Sequence, residues 1–96
     1  MRFDIHRLKS HLVLDVQADI VGSFGTRVVA PLLPVEIAPT ITKRMHPVFQ
    51  IDGTNWVLAT HLLLAVPEKD LGPTIGNLAA HQDEIKSALD LLFDGF

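Results

Sequence analysis

The chain has 96 residues, of which 48% are hydrophobic and 20% are charged. This composition is typical of a globular protein and excludes a disordered one, so we expect a single domain over residues 1–96. The formal net charge is −3, and no block of Lys and Arg is present to bind phosphates. Nucleic-acid binding by this chain alone is therefore not expected.

Cysteine is absent, which excludes disulfides and thiolate metal sites and is typical of a reducing compartment. The apolar runs are short, and none approaches the roughly 18 residues of a membrane span. The first residues lack the long apolar segment of a secretory signal. We therefore expect a cytoplasmic protein that does not associate with membranes.

Residues 1–66 carry the patterns of β-strands. Alternating or β-branched runs predict strands at residues 3–6, 12–18, 27–30, 48–51 and 56–60. The Lys9-Ser10 and Asp52-Gly53 pairs lie between neighbouring runs and predict hairpin turns. Pro31 cannot donate to a strand ladder, so we expect the third strand to end there. The apolar run 62–66 fits a strand or a helix by periodicity.

A helix is predicted over residues 78–93, which contain no Gly or Pro. Asn77 is the expected N-cap, since its side chain can accept a backbone N–H of the first turn. Apolar residues at helical spacing predict the face that packs on the strands. They are Leu78, Ile85, Leu89, Leu92 and Phe96. Strands followed by one terminal helix indicate a mainly β or α+β fold, such as a small barrel.

The end of this helix has unusual neighbours. Leu91 and Phe93 flank the apolar face and fit edge packing or a dimer surface equally well. Asp90 and Asp94 are four residues apart, have like charge, and lie where the helix dipole favours cations. Each effect costs on the order of a few tenths of a kcal/mol. The pair is either tolerated as a small cost or used to contact a partner.

Motifs that carry chemistry are missing from the sequence. The five histidines form neither an HxH nor an HExxH spacing, so no metal site is expected. Nucleophile elbows and phosphate-binding glycine loops are also missing. We therefore expect no catalytic residue and no cofactor. Trp56, the only tryptophan, fits core packing or, as the alternative, an exposed anchor for a partner.

Several segments, in chain order, resemble the CcdB family, the toxins of CcdA–CcdB toxin–antitoxin modules. The segments are Asp15-Val16-Gln17-Ala18-Asp19-Ile20, Arg27-Val28-Val29-Ala30-Pro31-Leu32, His46-Pro47-Val48 with Ile51 and Trp56, Ala65-Val66-Pro67, and the helical residues 83–93. Gly95 matches the penultimate glycine of the family. The resemblance covers nearly the whole chain and implies an SH3-like barrel of antiparallel strands with a C-terminal helix.

The resemblance also implies a function that involves no catalysis. Toxins of this family are homodimers that bind the A subunit of DNA gyrase and trap its complex with cleaved DNA. A CcdA-like antitoxin neutralises the toxin with a disordered segment that folds on binding. The toxin and antitoxin together repress their own operon, in modules that serve plasmid maintenance. The implied partners are thus a second copy, the antitoxin, the gyrase A subunit and, only together with the antitoxin, operator DNA.

The resemblance assigns roles to individual residues. The gyrase-binding tip maps to Asp94, Gly95 and Phe96, beside the expected dimer interface at Leu91, Leu92 and Phe93. The antitoxin-facing positions map to Phe3, Asp15, Arg27 and Trp56. Asp94 departs from the family pattern, which has tryptophan there, and an aspartate lacks the apolar area of an aromatic anchor.

Two alternatives follow from this departure and from the implied fold. The first is a CcdB homologue whose target is lost or changed because of Asp94. The second is a MazF-like mRNA endonuclease, because MazF-like toxins share this barrel. The low positive charge and the lack of a convincing Arg, Thr and His constellation argue against the endonuclease.

Overall fold

The computed structural model describes residues 1–19, 24–38 and 42–96. The strands in these ranges are β1 (Asp4–Leu8), β2 (His11–Asp15), β3 (Thr26–Pro34), β4 (Val48–Ile51), β5 (Thr54–Leu58), β6 (Leu64–Pro67) and β7 (Thr74–Asn77). The helix α1 spans Gln82–Asp94, and short 3-10 turns span Thr60–Leu62, Glu68–Asp70 and Ala79–His81. The predicted order of strands followed by one α-helix is confirmed. None of the described helices is long and apolar enough to cross a membrane.

The strands form one antiparallel sheet that curls on itself. Its order is β4-β5-β3-β2-β1-β7, and β6 also pairs with β3. The length of β3 makes this arrangement possible, because residues 26–29 pair with β6 while residues 32–34 pair with β5. β3 therefore pairs along one edge first with β6 and then with β5.

The two faces of the sheet bury separate apolar clusters. Leu12 and Leu14 of β2 belong to the larger cluster, which also receives Ile85 of α1. Val13 belongs to a smaller cluster, because successive side chains of a strand point to opposite faces. β2 is thus covered on both sides, and it ends at Asp15, three residues earlier than the predicted run.

β3 runs through Pro31 to Pro34, so the prediction that this strand ends at Pro31 is wrong. Pro31 lies between the part of β3 that pairs with β6 and the part that pairs with β5. No ladder bond needs an N–H at this junction, and the carbonyl of Pro31 still accepts the N–H of Ala59 at 2.9 Å. The missing proline donor is therefore tolerated inside the strand.

Both predicted hairpin turns are confirmed. Leu8 pairs with His11 across the first turn, and Lys9 there has φ of 57°. Asp52 and Gly53 have φ of 51° and 79°, as a type I′ hairpin requires. The ambiguous run 62–66 is neither one strand nor one helix, since it divides between the Thr60–Leu62 turn and β6.

The start of the helix differs from the prediction. Residues 74–77 form β7, a strand that the pattern did not predict, and it pairs with β1. Asn77 does not cap α1, because α1 begins at Gln82, with His81 at the cap position and no side-chain hydrogen bond there. The Oδ1 of Asn77 instead accepts the N–H of Ala79 at 2.7 Å, at the start of the preceding 3-10 turn.

Candidate functional site

α1 is anchored to the sheet by one face. Ile85 and Ala88 are fully buried, and Leu89 packs against the larger apolar cluster. On its polar side, the Nε of Arg44 donates to the Oγ of Ser87 at 2.7 Å. The predicted packing face is therefore confirmed from Leu78, which is buried, through the central turns of α1, and the helix is held on two sides.

Residues 93–96, which we call the C-terminal tip, extend beyond this anchored part. Phe93 is 68% exposed and Phe96 is 81% exposed. Gly95 ends the helix with φ of 79°, and its N–H donates to the carbonyl of Leu91 at 3.0 Å. Because the helix ends there, Phe96 does not continue the packing face, contrary to the prediction from its spacing.

The C-terminal tip brings together the residues that the resemblance assigned to target binding. Asp94 is exposed between the two phenylalanines in the chain, and among the described residues it forms no ion pair. Leu91 and Leu92, assigned to the dimer interface, are half-buried on the adjoining turn. The tip thus presents aromatic surface together with an exposed carboxylate.

A buried ion pair joins β2 to β3. The Nε of Arg27 donates to Oδ2 of Asp15 at 2.8 Å, and Nη2 donates to Oδ1 at 2.9 Å. Asp15 is 1% exposed and Arg27 is 6% exposed. Asp15 lies opposite Val29, and Arg27 is the diagonal neighbour two residues away on the same face, within reach of a long side chain.

The guanidinium of Arg27 is occupied by further acceptors. Its Nη2 also donates to the carbonyl of Gln17 at 3.1 Å and reaches Oδ1 of Asp19 at 3.4 Å. The hydrogen bond to Asp15 is the main cause that raises the pKa of Arg27. A cation with these partners is not available to bind a substrate phosphate, so we interpret the pair as a structural link between β2 and β3.

The four predicted antitoxin-facing residues lie in two places. Phe3 is buried in the larger cluster, and its N–H donates to the Asp15 carbonyl at 2.6 Å, so it adjoins the ion pair. Trp56 lies opposite Pro34, at the other end of β3 from Arg27. It is half-buried and packs against the same cluster. Of the four side chains, that of Trp56 is therefore the most accessible to a partner.

An apolar groove of about 250 Å³ crosses the sheet surface. We call it the apolar groove, and it is lined by Leu8, His11, Val13, Pro31, Leu33, Leu62 and Leu64. Leu62 is 46% exposed and Leu64 is 40% exposed. The sequence analysis missed this surface because its walls come from β1, β2, β3 and the run after β5, so no single segment carries its pattern.

No metal centre is present in the part of the chain that the structure describes. Across residues 1–19, 24–38 and 42–96, no three His, Cys, Asp or Glu side chains are grouped so that they could hold a metal ion.

Residues 2–95 match the model of the family described as CcdB protein. The chain belongs to the CcdB family. The match includes every strand and helix of the structure and reaches Gly95 of the C-terminal tip. The match therefore covers the sheet, the helix and the tip as far as Gly95, and Phe96 lies beyond it.

Solved structures of toxins share the fold of this CcdB-family chain. The similarity to "Mycobacterium tuberculosis toxin MazF-mt6" has a TM-score of 0.77 at 21% identity, over 95% of this chain and 96% of that chain. An Mtb toxin matches with a TM-score of 0.76 at 19% identity, over 93% and 99%. An endoribonuclease in complex with its cognate antitoxin, from mycobacterial species, matches with 0.74 at 19% identity, over 96% and 92%. The curled antiparallel sheet with its C-terminal helix is therefore the MazF-like toxin fold.

Proposed function

We propose that this CcdB-family chain is the toxin of a type II toxin–antitoxin module and that it acts by binding the A subunit of DNA gyrase. The observation that carries the proposal is the C-terminal tip, where Phe96 is 81% exposed just beyond the end of an anchored helix. Aromatic side chains of this kind dominate the free energy of many protein interfaces. The helix C-cap at Gly95, whose N–H donates to the carbonyl of Leu91, places Phe96 next to the anchored turn of α1.

The proposed mechanism is binding without chemistry on a substrate. Phe96 of the tip enters an apolar pocket of the target, and Asp94 faces a cation or water at the rim, where a charge costs little to keep solvated. Trapping the gyrase complex with cleaved DNA then follows from preferential binding to that state. Asp94, at the family's tryptophan position, weakens this contact.

We further propose a homodimer formed beside the tip. Leu91 and Leu92 are half-buried in the single chain and Phe93 is exposed, so a second copy can cover apolar surface there. A symmetric dimer then presents two tips, since a two-fold interface uses the same surface on both copies.

The apolar groove supports a second part of the proposal, neutralisation by a CcdA-like antitoxin. A disordered antitoxin segment that folds on binding needs apolar surface for its anchor side chains, and Leu62 and Leu64 supply it. Trp56 adds a half-exposed indole, while Phe3, Asp15 and Arg27 support the sheet from inside. Operator DNA is bound only with the antitoxin, because this chain has a net charge of −3.

Gyrase supercoiling and cleavage assays test the proposal directly. Purified wild-type protein is expected to inhibit supercoiling and to produce gyrase-dependent double-strand breaks. Phe96→Ala should abolish both effects, and the matched control Phe24→Ala, which removes another phenylalanine that is 82% exposed, should leave them unchanged. If Phe96→Ala inhibits supercoiling and produces breaks as well as Phe24→Ala does, the tip is not the binding site.

An mRNA endonuclease is the second candidate, and the structural similarity to an endoribonuclease favours it. The engagement of Arg27 by Asp15 argues against it, because the pair removes a cation from the surface. A defined RNA incubated with the protein separates the two. RNA cuts without gyrase support the endonuclease, and inactivity in both assays together with antitoxin binding supports a homologue with a lost or changed target.

A further inference from the structure

Two histidines that are distant in the sequence form a hydrogen-bonded pair. The Nε2 of His46 lies 2.8 Å from the Nδ1 of His61, and the rings are nearly perpendicular at 83°. His46 is 1% exposed, whereas His61 is exposed. The pair connects residues 42–47, which precede β4, to the 3-10 turn Thr60–Leu62.

The surroundings of His46 indicate which nitrogen carries each proton. Hydrogen bonding to the backbone of Thr42 raises the pKa of His46, as a carbonyl acceptor does, and we infer that it involves the ring nitrogen that does not face His61. Because Nε2 faces His61, the ring nitrogen that contacts Thr42 is Nδ1. A carbonyl can only accept a hydrogen bond, so Nδ1 carries the proton. The Nε2 of neutral His46 is then an acceptor, and the Nδ1–H of His61 donates to it.

Charged groups around the pair do not replace this contact. The charged groups on the same segment are Lys43 and Arg44. Arg44 contacts Ser87 on α1. The charged groups of α1 within one turn of Ser87 are Asp83, Glu84, Lys86 and Asp90. β4 and β5 carry no titratable side chain, and Arg27 on β3 is bound to Asp15. Of these groups, His61 is the one whose charge lowers the pKa of His46.

We propose that the His46–His61 pair is a proton-sensitive clasp that holds residues 42–47 against the Thr60–Leu62 turn and opens on acidification. Leu62 also lines the apolar groove, so opening of the clasp changes one wall of that groove. This device is independent of the identity of the target and of the antitoxin.

Opening requires two protons for a simple chemical reason. One proton on the pair leaves the hydrogen bond intact, because one ring then donates while the other still accepts. A second proton on the Nε2 of His46 places two donors and two positive charges face to face, and the hydrogen bond is lost. Burial and the charge of His61 lower the pKa of His46, which delays this step, while the Thr42 carbonyl opposes that shift.

Amide hydrogen exchange measured by NMR tests the clasp locally. The informative amides are those of Met45 and His46, which donate to Thr42, and that of Leu62, which donates to Ala59. Between about pH 7.5 and about pH 5, their protection is expected to fall about tenfold more than that of Val16, whose N–H donates within the sheet.

The variant His61→Asn distinguishes the clasp from general acid loosening. An asparagine amide can donate to neutral His46 and can accept from protonated His46, so the extra fall in protection should disappear. The control His11→Asn, at an exposed histidine outside the pair, should behave like the wild type. An equal fall in His61→Asn and wild type would overturn the proposal.

The wild-type protein offers a second measurement that needs no substitution. Imidazole nitrogen shifts at neutral pH are expected to show a proton on Nδ1 of His46 and on Nδ1 of His61. A proton on Nε2 of His46 at neutral pH would contradict the clasp, since the donor and acceptor roles would then be reversed.

Discussion

The carboxylate of Asp15 and the guanidinium of Arg27 face each other across β2 and β3 in a two-pronged hydrogen-bonded ion pair, shielded from water. Both residues belong to the motif segments that resemble the CcdB family. Their burial indicates that these segments maintain the sheet, whereas we propose that partners bind at the C-terminal tip and the apolar groove. The experiments below separate these structural and contact roles.

Removal of one member of this ion pair should strongly destabilise the protein. Arg27→Met removes the bidentate partner of the buried Asp15 carboxylate and leaves the N-terminal ammonium 3.6 Å away, and breaking such a buried pair costs about 3–5 kcal/mol. The free energy of unfolding in urea measures the loss. Asp19→Asn is the control, because Asp19 is half-exposed and reaches Arg27 only at 3.4 Å, so it should cost less than about 1 kcal/mol. Equal effects would contradict the structural role.

Restoration of an aromatic anchor in the C-terminal tip should strengthen target binding. Asp94→Trp replaces an exposed carboxylate with a side chain that can supply about 2 kcal/mol at an interface, or more than tenfold in affinity. The concentration that half-inhibits gyrase supercoiling measures the gain. Asp90→Trp, one turn earlier on α1, should give no gain. If Asp94→Trp also leaves inhibition unchanged, Asp94 is not the weak position in the tip.

Stability should fall as the solution becomes acidic, and His46 should be one cause. Its pKa in the folded protein is lowered from 6.5, chiefly by burial, so the unfolded chain binds more protons below that value. The contribution is therefore fully present above about pH 6.5 and is lost as the pH falls.

The free energy of unfolding at several pH values measures this contribution. His46→Gln removes the titrating ring, so the pH dependence below about 6.5 should become shallower than in the wild type. His11→Gln, at an exposed histidine at the start of β2, is the matched control and should retain the wild-type slope. An unchanged slope in His46→Gln would rule out this source of acid sensitivity.

The packing face of α1 can be tested by truncation of its side chains. Ile85 is fully buried in the larger cluster, so Ile85→Ala should cost about 2–5 kcal/mol through lost burial and the resulting cavity. Leu91 is half-buried, and Leu91→Ala should cost clearly less. Thermal unfolding of monomeric protein at low concentration compares the two. A larger effect at Leu91 would show that another face of the helix packs on the sheet.

Short-range patterns predicted much of this fold. The turn at Asp52-Gly53 followed from local backbone chemistry, because aspartate and glycine tolerate the positive φ values that a tight hairpin needs. The packing of Ile85 followed from helical spacing, which places apolar residues on one face. The family resemblance, carried by motifs along nearly the whole chain, was confirmed by the match over residues 2–95.

Other features depended on neighbours that are distant in the sequence. Pro31 is compatible with a strand interior because β3 changes partner from β6 to β5 at that point. Residues 74–77 form a strand because β1 offers its free edge, although their own pattern is weak. Asn77 caps the 3-10 turn instead of α1 because that turn precedes the helix.

The sequence by itself determined the elements whose geometry is set within a few residues: the hairpin turns, the apolar face of the helix and the aromatic residues of the tip. Only the tertiary structure decided the burial of the Asp15–Arg27 pair, the walls of the apolar groove and the contact between His46 and His61. Each of these features joins segments that lie apart along the chain but are adjacent in the folded protein. Their formation depends on strand order and register, which local patterns specify only weakly.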